Sequence, residues 1–392
     1  MTKVKNIIDS VWENVLSYRK WLHAHPELSG QEKNTADYIF KVLSDMGLNP
    51  TANIGGYGVT AVIEGKGEGK CLALRADFDA LPLNENTELP FSSENEGVFH
   101  ACGHDMHTAM LLGATEVLLS LRDEFSGKIK LIFQPSEENA SDSGAKKMIA
   151  EGVLENPKVD AIIAQHVSPH YNTGQIAVRN GSMTASSDRF FISVYGKSSH
   201  GSEPEGGIDA IAIGAQIITA IQTIVSRSIS PLDNTVISIG KVSGGTRYNV
   251  IADRFEMEGT CRNVNPAVRN TMPARIENIV KGISEGMGGN YEFSYVKGYS
   301  PTINSPEQFK LLSETATKII GKDNVIIPQN TTLGGEDFSF YSEKIPAGFY
   351  QLGCRKEGTD FYPLHNQKFS PDEDAMKIGI DIMVSSALKY LG

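Results

Sequence analysis

Two hydrophobic patterns alternate along the chain. In the first, a short continuous apolar run ends abruptly in acidic or histidine residues. "KCLALRADFDALP" carries Leu72 and Leu74 into Asp77 and Asp79, and "KIKLIFQPSEEN" carries Ile129 to Phe133 into Glu137 and Glu138. "VDAIIAQHVSPH" carries Ala161 to Ala164 into His166, expected at the strand's end, and His170. Helical stretches lie between, at 105–121 and 144–151. Strands apolar enough to be buried on both faces, alternating with helices, predict an α/β domain with a central, mostly parallel sheet flanked by helices. Ligands of such sheets sit beyond the carboxyl ends of the strands, so the polar residues that end these runs are expected to converge.

From 184 to 297 the pattern changes. "DRFFISVYG" alternates, with Phe190, Ile192 and Val194 on one face, as a half-buried strand does. A long helix follows in "GGIDAIAIGAQIITAIQTIVSR", then "TVISIGKVSGG", a strand near "RFEMEGTCRN", a helix at about 266–286, and "YEFSYV". The order β-α-β-β-α-β is the ferredoxin-like α+β arrangement. After 298 the first pattern returns with the strand "GFYQLG", the loop "YPLHNQKF" carrying His365, and a final helix in "SPDEDAMKIGIDIMVSSALKYL". Ser370 is expected as its N-cap, with Pro371 at its first position and Glu373 closing a capping box. The expected division is 1–183 and 298–392 in one domain, with 184–297 inserted as a second.

Composition removes whole classes of function. A formal net charge of −11 and a pI near 5.4 argue against nucleic acid as a partner. No apolar run reaches the roughly 20 residues of a membrane span, and the amphipathic start lacks the pattern of a signal peptide, so no membrane partner is expected. The four cysteines, Cys71, Cys102, Cys261 and Cys354, are sparse and unpatterned, which suits a reducing, cytoplasmic setting.

Against nine histidines in 392 residues, "FHACGHDMHTAM" places His100, His104 and His107 beside Cys102 and Asp105. Cys102, His104, Glu138, His166 and His365 are the thiolate, imidazole and carboxylate groups that divalent transition metals prefer. Five ligands exceed one tetrahedral ion and suit two that share a ligand. Two such ions, about 3.5–4 Å apart, hold a bridging hydroxide and bind the oxygen of a scissile carbonyl. Glu137, outside that set, is placed to act as the base, because adjacent side chains on extended backbone point apart. Each piece has an ordinary reading too: an inert buried thiol, a solvated glutamate pair, a core histidine, a helix-capping aspartate. A nucleophilic Cys102 with His104 or His107 is a rival, but it leaves Glu137, Glu138, His166 and His365 idle. His23 and His25 are expected to be structural and far from the strand ends; His100 and His170 are expected to be structural as well. For His107, orienting a ligand and packing stand level.

With these residues in hand, the chain resembles the metal-dependent amidohydrolase and carboxypeptidase family that includes hippurate hydrolase, bacterial N-acyl-L-amino-acid amidohydrolase and the auxin-conjugate hydrolases. The resemblance rests on "RKWLHAHPELSGQE", "LRADFDALPL", "HACGHDMHTAMLLG", "FQPSEE", "QHV", "GKSSHGSEPEGGIDAI", "GGTRYNVIAD", "LGGEDFSFY" and "LHNQKF", in order and over nearly the whole length. It implies a catalytic domain and an inserted lid domain that pairs subunits into a homodimer. By matching positions, Cys102 would bridge two divalent ions, His104 and His166 on one, Glu138 and His365 on the other. Glu137 would be the general base, His200 would reach a neighbouring active site to polarise the carbonyl oxygen, and Asn249 would help hold substrate. The expected reaction is hydrolysis of N-acyl amino acids to a carboxylate and a free amino acid; a carboxypeptidase or dipeptidase acting on short peptides is the alternative. More distant relatives carry H-x-D where this chain has Asp77-Phe-Asp79, and a bridging aspartate in place of Cys102. The metal stays open between zinc, manganese, cobalt and nickel.

Overall fold

In the computed structural model, which describes residues 2–392, two helices come first, α1 (Thr2–Ala24) and α2 (Lys33–Asp45). Then follow β1 (Thr51–Ile54), β2 (Gly58–Glu64), β3 (Cys71–Asp77), α3 (His104–Ser120), β4 (Lys128–Gln134), α4 (Gly144–Ala150), β5 (Ala161–Asn172), β6 (Ile176–Ala177) and β7 (Gly181–Ser182). The middle of the chain gives β8 (Ser187–Tyr195), α5 (Ala210–Thr223), β9 (Thr235–Gly244), β10 (Arg254–Asn263), α6 (Pro266–Gly286) and β11 (Asn290–Tyr299). The chain ends with β12 (Ile303–Asn304), α7 (Pro306–Ile320), β13 (Val325–Ile326), α8 (Ser339–Ser342), β14 (Ala347–Arg355) and α9 (Ala375–Leu391). Contacts divide these elements into two units. One holds the residues up to Met183, Thr302–Asn330 and Asp337–Gly392; the other holds Thr184–Pro301 and Thr331–Glu336.

The first unit is built on an eight-stranded sheet of order β1-β2-β4-β3-β5-β14-β6-β13. Its central strands β4, β3, β5 and β14 run parallel, while β2 is antiparallel to β4. Every residue of β3 is buried, as a parallel strand covered on both faces requires. Helix α3 packs against α1, α9 and β3 and is buried almost all round. This is the mostly parallel sheet flanked by helices that the apolar runs predict.

Two local expectations are corrected. His166 does not end its strand: β5 continues to Asn172 because β14 keeps pairing with it, Gln351 opposite His166 and Arg355 opposite Asn172. On the other side, β3 pairs with β5 only as far as Arg75 opposite Ala164, which puts Asp77, at the carboxyl end of β3, level with His166. The second correction is the start of α9, which begins at Ala375 rather than behind a Ser370 cap. The Asp372 N–H is taken by the Cys354 carbonyl (2.8 Å), the Asp374 N–H by Asp372 Oδ1 (3.2 Å), and Glu373 faces Arg19 (3.5 Å). Those bonds fold 371–374 into a turn and leave no capping box to form.

In the second unit the sheet order is β11-β8-β10-β9, antiparallel throughout. Phe190, Ile192 and Val194 of β8 share a core with Ile213 and Ile217 of α5 and Ile276 of α6. This is the ferredoxin-like arrangement. Ala210–Ser228, 19 residues of mean hydropathy 1.4, is long and apolar enough by composition to cross a bilayer. Its buried stripe Ile213, Ile217 and Ile221 packs into the unit's own core.

Candidate metal centre and active site

The polar residues that end or follow the parallel strands gather at one edge of the first unit's sheet. Cys102, His104 and His166 each offer a ligand atom within 4.8 Å of the others, and so do Cys102, Glu138 and His365, and His104, Glu137 and Glu138. Two of these triads share Cys102. His166 Nε2 lies 3.4 Å from Cys102 Sγ, and His365 Nε2 lies 3.2 Å from Glu138 Oε1. Gly103 links Cys102 to the start of α3 at φ +82°, a left-handed conformation natural to glycine. His365 is itself left-handed at φ +62°, on a loop tied down by its N–H donating to the Ala101 carbonyl (2.8 Å).

Hydrogen bonds set which ring nitrogens are free. His104 Nδ1 donates to the Asp79 carbonyl (2.9 Å), and His104 Nε2 is buried without a hydrogen-bond partner. His166 Nδ1 donates to the Val167 carbonyl (2.7 Å), turning Nε2 toward Cys102. This is the arrangement in which an outer partner orients a metal-binding imidazole. His107 is committed at both nitrogens: Nε2 accepts the Val167 N–H (2.9 Å), so Nδ1 donates to Asp77 Oδ1 (2.6 Å). Although Asp77, His104 and His107 also cluster, His107 has no lone pair left for a cation. It pins the backbone beside His166 instead.

The electrostatics fit a cation. Burial, and then the charges of Glu138, Glu137 and Asp77, push the Cys102 thiol well above its ordinary value. Burial alone would lower His104, but Asp77, Asp79 and Glu138 raise it to about 10. His166 is held well below its usual value by burial and neighbouring imidazoles, so it stays neutral with a lone pair to offer. A thiol that resists ionising beside an imidazole that resists losing its proton marks surplus negative potential. A divalent cation reverses both shifts by supplying the missing positive charge.

Behind this cluster lies a charged network in which Asp77 is the run-ending carboxylate read from the sequence and Arg75 and Gln134 are additions. Arg75 donates to Asp77 Oδ2 (2.6 Å), Gln134 Oε1 (2.9 Å) and Asp337 Oδ1 (2.8 Å). Asp337 also accepts from Gln134, Ser143 and the Ala145 N–H, and its own N–H donates to Glu137 Oε1 (3.2 Å). His23 is nearer than expected: Nδ1 lies 2.6 Å from Asp105 Oδ2, next to His104 in sequence. Burial would raise Asp105, but Arg19 and His23 hold it far below the usual carboxylate range. His100 is buried with both nitrogens unpartnered, and burial lowers it to about 4. His25 stacks on Trp21, and His170 lies beside Phe361.

His200 and Asn249 belong to the second unit and are neighbours there. His200 bridges Val250, the Gly201 N–H donates to the Asn249 carbonyl (2.9 Å), and Asn249 Oδ1 is buried without a partner. His200 is exposed, with Nδ1 2.6 Å from Ser202 Oγ.

Fold and donor set together define the class, a hydrolase of amide C–N bonds that works with divalent metal. The chain belongs to peptidase family M20/M25/M40, which it matches over residues 73–389. It is 43% identical over 309 residues to the N-acyl-L-amino acid amidohydrolase of Geobacillus stearothermophilus, spanning 78% of this chain and 83% of that protein. To thermostable carboxypeptidase 1 of Saccharolobus solfataricus it is 39% identical over 391 residues, 99% of this chain and 98% of the relative. A solved Bacillus subtilis structure, a dinuclear metal-binding peptidase of the M20 family, has a TM-score of 0.85 at 36% identity and covers 98% of this chain and 99% of its own.

Proposed function

We propose that this chain hydrolyses the amide bond of N-acylated amino acids, using two divalent ions held by Cys102, His104 and His166 on one side and Cys102, Glu138 and His365 on the other. The observation that carries this reading is the pair of donor triads sharing Cys102, with the buried Glu137 beside them. When bound, the ions polarise the scissile carbonyl and activate water. Glu137 takes the proton of the attacking water and delivers it to the departing amine, yielding a carboxylate and a free amino acid. The Asp337 N–H on Glu137 Oε1 fixes one carboxylate oxygen and so orients the other.

The second unit acts as a lid that also pairs subunits. His200 reaches a neighbouring active site to stabilise the negative charge that develops on the carbonyl oxygen, and Asn249 offers its unpartnered Oδ1 to substrate. The amidohydrolase name of the 43% identical relative supports an acyl group on the substrate's amine.

The test is Glu137→Gln, assayed on N-acetyl and N-benzoyl amino acids with metal content measured alongside. Turnover is expected to fall about 10²–10⁴-fold with both ions retained; near-normal turnover removes the base assignment. A panel that also includes free dipeptides separates the carboxypeptidase reading, since preference for an unacylated peptide overturns the N-acyl substrate. His200→Ala is expected to fold and dimerise but turn over slowly, and an unchanged rate excludes its role at the neighbouring site.

A further inference from the structure

The turn that delivers Glu137 and Glu138 is not relaxed. Ser136, which precedes them, has φ +54°, a left-handed conformation that a non-glycine residue keeps only where its surroundings hold it. Its carbonyl accepts the nearby Gly144 N–H (3.1 Å), and its N–H and hydroxyl are held from a remote part of the chain. Glu32, fully buried in the loop between α1 and α2, accepts both the Ser136 N–H (2.8 Å) and the Ser136 Oγ–H (3.1 Å) on its Oε1. The same loop supplies Ser29, whose hydroxyl donates to Asp79 Oδ2 (2.7 Å), and that oxygen accepts the Glu138 N–H (3.0 Å). Ser136 and Glu138, the residues on either side of Glu137, are therefore each anchored through an N–H to a buried carboxylate.

Glu32 is a costly way to make such an anchor. Burial, reinforced by the Asp79 charge, raises its carboxyl to about 7, and its Oε2 is buried without a hydrogen-bond partner. A buried carboxylate with one oxygen unpartnered costs stability, and Glu32 is kept there with its other oxygen committed to Ser136. It belongs to "RKWLHAHPELSGQE", a stretch to which the catalytic scheme gives no task.

We infer that Glu32 is a positioning residue for the reaction: by holding Ser136 left-handed it sets the directions in which Glu137 and Glu138 diverge, one toward proton transfer and the other toward the cation shared with His365. The inference rests on the proposed roles of Glu137 and Glu138. Losing the clamp should therefore weaken one ion and leave the other, a signature that general destabilisation does not produce.

The experiment compares Glu32→Leu, which removes the acceptor, with Glu32→Gln, which keeps one oxygen to accept from Ser136. Metal affinity is followed by titration calorimetry and elemental analysis, and kcat and KM are measured on an N-acyl amino acid. For Glu32→Leu, one ion is expected to bind about 10–100-fold more weakly while the other is unchanged. Its kcat is expected to fall about 10–100-fold with KM nearly constant, as for a reacting group displaced by a fraction of an ångström. Glu32→Gln is expected to restore both. Should Glu32→Leu fail to fold, Glu32→Asp takes its place, since it keeps the charge but withdraws the oxygen by one methylene. Wild-type affinity for both ions with unchanged kcat overturns the inference, as does equal weakening of both ions in a variant that keeps its cooperative melting transition. A wild-type protein that binds no ions, or an active Glu137→Gln, would instead defeat the functional reading beneath it.

Discussion

Gly103 shows how little room the centre leaves. It separates Cys102 from His104, and a Cβ built there would lie 2.4 Å from Val167 Cγ2, next to His166. Gly103→Ala adds left-handed strain to that clash, so Cys102 and His104 must move away from His166. The expected loss is about 1–3 kcal/mol of stability, with weaker binding of the ion proposed on Cys102, His104 and His166. Urea unfolding and metal titration check the two effects, and an alanine variant with native affinity would show that the contact is soft. At this scale, legibility in the sequence followed locality. Cys102, His104, Glu137 and Glu138 stand within a few residues of a strand or helix boundary that periodicity marks. Glu32 and Asp337 do not: they fall inside "RKWLHAHPELSGQE" and "LGGEDFSFY", and the glycines before Glu336-Asp337 suggest a close backbone approach, but their partners Ser136 and Arg75 lie 104 and 262 positions away and no periodicity ties them together. The left-handed Ser136 was equally unreadable, because serine is not a residue that announces such a conformation.

Among the elements, the strength of the apolar runs decided what could be read. β3, β4 and β5 are continuous enough to be recognised, and alternation in β8 and β10 separates the second sheet from the first. Ends were harder to place. The length of β5 depends on β14, nearly two hundred residues later, and the start of α9 depends on hydrogen bonds to β14 and α1 rather than on its own capping residues. Besides its apolar face, helix α6 is tied to its sheet by a buried ion pair. Arg269 donates to both oxygens of Asp188 (3.0 and 2.8 Å), and Asp188 also accepts from Tyr295 Oη and the Gly298 N–H. Arg269→Ala leaves that carboxylate buried without its cation, and a loss of about 3–5 kcal/mol is expected. A lower urea midpoint reads it; an unmoved midpoint would mean that Tyr295 and Gly298 satisfy Asp188 alone.

For the whole molecule, the charge gathered at the centre links metal to stability. Asp77, Asp79, Glu137 and Glu138 converge on one edge of the sheet, and the raised His104 and Cys102 record the negative potential they create. Ions that bind only the folded chain stabilise it by mass action, about 2.7 kcal/mol at one hundred times the dissociation constant. Stripping with a chelator is therefore expected to lower the melting temperature by several degrees as well as abolish activity, and readdition of zinc, manganese, cobalt or nickel to restore both. Unchanged melting after verified metal removal would contradict this linkage.

The position of β14 has a temporal consequence. It pairs with β5 in the interior of the sheet yet is encoded near the end of the chain, so a growing polypeptide makes Ala161–Asn172 long before its partner exists. At 5–20 residues per second that wait lasts roughly ten to forty seconds. During it an apolar strand offers an unpaired edge of the kind that recruits other chains. A polypeptide stopped at residue 346 is expected to sediment where the full chain stays in solution, and His365, the last of the proposed donors to be synthesised, follows β14 by ten residues.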